Sequence, residues 1–189
     1  MYMSIKIISV IFLLFFLSIP LYSQAKSWDD LLEEANTFYQ QGKLQDSIRL
    51  TKEALVLAEK EFGPDKPEVV LCLNTLAYLY HIQGRESEAE AFSRRALDIV
   101  ENRPGPEDID VAAALNNLAE ICKAQKKYQE AESFYKRALK IVEEDPTSGD
   151  STIAMILKNM VALYNEMGRA EEAKVFQGRL EKITDVNSE

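Results

Sequence analysis

Outside a field of surface carboxylates, few side chains in this sequence could act as nucleophile, proton carrier or metal ligand. His81 is the only histidine, and Cys72 and Cys122 are the only cysteines. An imidazole with two thiols suits metal ligation or thiol chemistry, but both need partner groups at defined spacing. No second ligand stands at helical spacing beside His81, and no Gly-rich phosphate loop or nucleophile elbow occurs. The sequence therefore predicts no catalytic residue, no metal site and no cofactor. The other chemistry on offer is amide hydrogen bonding. Asn74 and Asn116 stand 42 residues apart, each with donors and an acceptor in a residue type that helices disfavour. Two such amides on one flank can clamp the backbone of an extended peptide; the alternative is hydrogen bonding between helices. A net hydrogen bond contributes only about 0.5–1.5 kcal/mol, so capture would need an apolar or aromatic anchor as well.

The elements that would position these residues follow from an internal repeat. LNTLAYLY from Leu73, LNNLAEIC from Leu115 and LKNMVALY from Leu157 are offset by 42 residues, with a weaker copy, LLEEANTF, at Leu31. The second half of each unit keeps the same phase in three series: Gly42, Gly84, Lys126, Gly168; Ser47, Ala89, Ala131, Ala173; and Leu57, Ile99, Ile141, Ile183. Within a unit, Leu73, Leu76, Ala77, Leu79 and Tyr80 recur every three or four residues, an amphipathic helix stripe. Gly84 ends that helix. A second helix from about Ser87 would face inward with Ala89, Phe92, Ala96, Leu97, Ile99 and Val100, and stop before Pro104-Gly105-Pro106. Four helix pairs are expected, at about 28–66, 67–108, 109–150 and 151–184, followed by a disordered tail over 185–189. Ala77 and Ala119 on first helices, with Ala89, Ala131, Ala96 and Ala138 on second helices, suit a close crossing, because overfilling a packed site costs about 1–3 kcal/mol.

This pattern resembles the tetratricopeptide repeat. Leu73-x-x-Leu76-Ala77-x-x-Tyr80 matches the first half of that family's signature, and Ala131-x₃-Tyr135 with Ala138-Leu139 matches the second. The usual period is about 34 residues; a period of 42 with GPDKPEVV between units is similar to the longer kinesin-light-chain-type variant. Departures gather at the ends, with Glu34 in place of a core Leu and Leu180-Glu181 in place of Ala-Leu. The resemblance implies an all-α, right-handed solenoid of about four antiparallel helix pairs, curved into a groove lined by the first helix of each pair.

On that reading the groove flank lies three residues before, one after and four after the close-packed Ala35, Ala77, Ala119 and Val161. It holds Asn74, Asn116, Lys158, Tyr39, Tyr78, His81 and Lys123. The resemblance also implies that Asn116 and Asn117, within Leu115-Asn116-Asn117-Leu118, hold peptide backbone. Tyr39, Tyr78 and His81 would anchor an apolar peptide residue in the first two units, although Tyr39 could equally cover a neighbouring helix. The carboxylate clamp of some family members is not supported, since Leu32, Thr75 and Ala113 occupy its positions. Cys122 stands where other units have Phe38, Tyr80 and Tyr164. Cys72 lies eight repeat positions away, about 12 Å along near-parallel helices and beyond disulfide reach. Both are expected as buried apolar thiols.

Formal net charge is -9, spread along the chain, which argues against a nucleic-acid partner. At the start, Lys6 precedes an apolar run from Ile7 to Leu21, and Ser23 and Ala25 suit cleavage after Ala25. Residues 1–25 thus read as a secretory signal peptide, with an uncleaved N-terminal anchor as the alternative; 15 apolar residues fall short of the roughly 20 that span a bilayer. The expected protein is an exported, periplasmic or secreted, monomeric or weakly self-associating scaffold for a peptide or partner protein. The alternatives are a cell-envelope assembly or chaperone-like factor using convex or end faces, and a thiol or metal enzyme built on Cys72, Cys122 and His81.

Overall fold

The computed structural model describes residues 26–103, 109–146 and 149–186. The expected signal peptide over residues 1–25 lies outside these, as do the breaker at Pro104-Gly105-Pro106 and residues 187–189. Among the described residues there are eight helices and no strand: α1 (Trp28–Gln40), α2 (Leu44–Phe62), α3 (Pro67–Ile82), α4 (Glu86–Glu101), α5 (Ile109–Ala124), α6 (Tyr128–Glu144), α7 (Asp150–Glu166) and α8 (Ala170–Val186). Each packs against the next in the chain, so the fold is an all-α solenoid of four helix pairs. The last helix carries on past 184 to Val186 because Leu180 and Ile183 continue its apolar stripe against the core. Among the described residues no helix is long and apolar enough to cross a membrane.

The turn inside each pair is built the same way four times. Gly42, Gly84, Lys126 and Gly168 all adopt positive φ, between 60° and 73°. That conformation lets the next amide reach back: Arg85 N–H bonds Tyr80 C=O at 3.0 Å, and Lys127 N–H bonds Cys122 C=O at 2.8 Å. Glycine adopts it without strain, but Lys126 must bear it with a side chain.

The predicted stripes are buried. Leu73, Leu76, Ala77, Leu79 and Tyr80 of α3 and Leu115, Leu118, Ala119 and Cys122 of α5 form one continuous core with Ala89, Ala96, Ala131 and Ala138 of the second helices. Phe92 is only partly buried, stacked on Tyr80 at 5.5 Å between centroids. Buried Ser93, which the pattern did not single out, lies within the core side of α4. Second helices are also tied across units by a repeated ion pair: Arg95 to Glu59, Arg137 to Glu101 and Arg179 to Glu143, each 36 residues apart. Exposed pairs of this kind contribute under about 1 kcal/mol each, so they favour the stacking register more than they stabilise it.

First helices of neighbouring units also touch, α3 against α5 and α5 against α7. Closer approach on that side makes it the inner, concave side of the array.

Candidate functional site

On the inner side of α3 a line of residues stays out of the core: Leu71, Thr75, Tyr78 and Ile82, spaced four, three and four apart. Leu71 is 51% exposed and Tyr78 49%. Across from them, α1 presents Leu32, Asn36 and Tyr39. All of these except Ile82, which stands just beyond, line a cavity of about 370 Å³ between the first two units. The hydroxyls of Tyr39 and Tyr78 share a hydrogen bond at 2.7 Å, and their rings meet edge to face with centroids 5.7 Å apart. That bond raises the Tyr78 phenol above its ordinary value, so this phenol stays neutral at physiological pH.

The expected flank is therefore assembled only in part. Tyr39 and Tyr78 come together at the cavity. Asn74 sits beside it, half-buried, with its Oδ1 enclosed and without a hydrogen-bond partner. Asn116 is only 6% exposed, and its Oδ1 accepts a hydrogen bond from Asn159 Nδ2 at 3.0 Å. For Asn116 this is the hydrogen bond between helices that the sequence left as an alternative. Asn117 and Lys158 are exposed on α5 and α7. His81 is half-buried, its Nδ1 2.7 Å from Glu86 Oε2, and Lys123 donates to Glu120 at 2.9 Å. Glu120 also accepts from the hydroxyl of Tyr135, whose phenol is raised by burial first and then by that bond. His81, Lys123 and Glu120 are thus engaged within the array.

Leu71 was missed by the sequence reading, and Thr75 was noted only as filling a position of the unsupported carboxylate clamp. The available signal was a leucine outside the buried stripe, one heptad before Tyr78. It was weak because the equivalent positions hold Asp29, Ala113 and Met155.

Both cysteines are free and buried. Burial, and after it Glu59, pushes the Cys72 thiol up to about 11. Burial, then Glu90 and Glu130, does the same to Cys122. The Cys122 sulfur lies within 4.8 Å of carboxylate oxygens of Glu90 and Glu130, the one such potential metal-ligand group among the described residues. Glu90, however, already accepts from Lys127 at 2.7 Å, Gln125 at 2.7 Å and Arg94 at 2.9 Å. Burial opposes its charge, but these three donors outweigh burial and hold the carboxyl down to about 2. A cation there would have to displace two others. The cluster also has a structural origin. Arg85 and Arg169 lie over Tyr80 and Tyr164, at 4.5 and 4.7 Å; where Cys122 replaces the ring, Lys127 turns to Glu90.

A larger depression, about 690 Å³, lies between the α2–α3 turn and the end of α4. Its arginines are taken up, Arg95 by Glu59 and Arg103 by Asp110.

Helix pairs stacked in phase, small residues at their crossings and an open inner face define an α-helical solenoid, a class that offers extended concave binding surfaces. Residues 31–102 and 76–144 match the family model for the tetratricopeptide repeat. The two matches together cover more than half of the 189 residues, and the chain belongs to the tetratricopeptide repeat family. Among solved structures it is similar to BtubC (BKLC) from P. vanneervenii, with a TM-score of 0.78 at 18% identity, over 85% of this chain and 64% of that one. It is also similar to a Podosopora anserina putative kinesin light chain with nearly identical TPR-like repeats, at TM-score 0.74 and 18% identity, over 85% and 76% of the two chains. A third is a Rap protein complexed with competence and sporulation factor, at TM-score 0.71 and 20% identity, over 84% of this chain and 42% of that one. The chain thus spans under two thirds of the BtubC and Rap chains, and at these identities the likeness is one of fold. No curated protein matches the sequence.

Proposed function

We propose that this chain is an interaction module, without catalytic activity, that holds a peptide segment or partner protein on its inner face. The observation that carries this reading is the line Leu71, Tyr78 and Ile82, three large apolar residues exposed together beside a cavity of about 370 Å³. Exposed apolar residues grouped around a pocket mark interaction sites, whereas single ones are ordinary surface. Among the described residues the convex side offers only the latter: Val56 and Val175 are exposed on α2 and α8, in the first and last units. The Rap protein complexed with competence and sporulation factor supports the reading as an example of this fold holding a second molecule.

The test is selection of binding peptides from a random display library on the full chain, followed by Leu71→Ser with Tyr78→Ser. Both side chains are half exposed, so the variant keeps its helices by circular dichroism. Loss of the selected peptides supports the inner face; retention overturns it.

Export completes the proposal: the chain acts outside the cytoplasm after cleavage behind Ala25. The apolar run from Ile7 to Leu21 behind Lys6, with Ser23 and Ala25 before the cut, supports this. N-terminal sequencing of the native protein should read Lys26-Ser27-Trp28. Intact Met1 in a cytoplasmic fraction would overturn it.

A further inference from the structure

The cavity between α1 and α3 has an unbalanced rim. Glu33 is its one charged lining residue. Among the described residues the Glu33 carboxylate has no cationic or hydrogen-bonding partner; only its backbone carbonyl is engaged, by Thr37 Oγ1 at 3.1 Å. Asp29 stands one turn earlier on the same side of α1, exposed, and Glu68 one turn before Leu71 on α3; among the described residues neither carboxylate is paired. Several carboxylates of the second helices are neutralised instead. Glu59, Glu88, Glu90, Glu101, Glu132 and Glu143 all have a Lys or Arg partner. Deeper in the inner face, Glu120 is neutralised by Lys123.

Resting on the reading of the inner face as the binding surface, we propose that its ligand is a basic–apolar peptide segment. One leucine- or phenylalanine-sized side chain enters between Tyr39, Leu71 and Tyr78, and a flanking Lys or Arg faces Glu33 and Asp29. Charge complementarity selects this occupant over an acidic one, because an acidic segment would meet three carboxylates with no internal counter-charge. It also selects against a second copy of the chain, whose net charge is -9.

The probe is a labelled synthetic peptide of about ten residues with a central Leu flanked by Lys and Arg, titrated into the full chain by fluorescence polarisation, beside its Glu-flanked counterpart. The basic peptide should bind more tightly, by about three- to fivefold for each charge exchanged, and should weaken as salt rises. Leu71→Ser with Tyr78→Ser should abolish binding. Glu33→Lys should weaken the basic peptide and strengthen the acidic one, a charge exchange that a merely misfolded variant cannot produce. Equal binding of both peptides, lost in the Leu71/Tyr78 variant, overturns the charge selection while leaving the inner face as the binding surface. Binding that survives the Leu71/Tyr78 variant overturns both readings. No binding of the basic peptide at about 1 mM overturns the ligand class, as does a dimer by light scattering that dissociates in Leu71→Ser.

Discussion

Asn159 on α7 donates from Nδ2 to Oδ1 of buried Asn116 on α5, at 3.0 Å and across 43 residues. The same step one unit earlier would join Asn117 to Asn74, yet Asn74 Oδ1 is enclosed with no partner. Two asparagines at equivalent repeat positions therefore have opposite energetic standing. Asn116→Ala removes a made bond and leaves Asn159 unpaired, so it should destabilise by about 1 kcal/mol. Asn74→Ala removes an unsatisfied acceptor and should fall within about 0.5 kcal/mol of wild type. Urea unfolding of the two variants measures the difference. A neutral Asn116→Ala would deny the inter-helix role.

Lys126 bears at φ 60° what glycine bears in the other three turns. Lys126→Gly should stabilise the chain by about 0.5–1 kcal/mol, the relief of a left-handed side chain less the entropy glycine adds to the unfolded state. Gly84→Ala should cost about 1 kcal/mol although nothing lies within 4 Å of the added Cβ. Thermal unfolding of both variants would show opposite shifts, and a destabilised Lys126→Gly would overturn the account of the turn.

Glu90 governs part of the acid response. Its folded carboxyl is held at about 2, against an ordinary 4.5. A carboxyl lowered by folding stabilises the native state above its unfolded value. That contribution, up to about 3 kcal/mol, is lost as pH falls from about 4.5 towards 2. Glu90→Gln should lower stability at neutral pH and flatten the decline between those two values. Glu132, also lowered against its burial, by Lys136, Tyr164 and Arg169, leaves a residual slope. Denaturant midpoints at several pH values would reveal an unchanged slope if the Glu90 cluster did not form.

Cys72 and Cys122, fully buried with thiols near 11, should resist alkylation in the native chain at pH 8 and react only as urea unfolds it. The nucleophile is the thiolate, about one part in a thousand at that pH even with free access. Mass spectrometry after a short pulse of iodoacetamide reads each site. Rapid native labelling of either cysteine would reopen thiol chemistry.

The fold was open to reading from sequence because its information is repetitive and local. Leu73, Leu76 and Tyr80 mark a buried stripe within one helix, and Gly42, Gly84 and Gly168 mark each turn through a backbone requirement that few residues meet. The aromatic seat taken by Cys122 was equally visible from its alignment with Tyr80 and Tyr164. The site was less open to reading. A single helix shows which side enters the core, but the division of its remaining surface depends on how neighbouring first helices are rotated against one another.

That rotation buries Asn116 beneath Asn159 while Asn117, one residue on, stays exposed. It also brings Leu71 out beside Tyr39, from a unit 42 residues away in register. The sequence alone determined the four units, their turns and their core, because each follows from spacing along one or two helices. Tertiary structure alone decided which asparagine is spent on packing, which tyrosines meet and where carboxylates are left unpaired, because those outcomes depend on distances between units that no single helix contains.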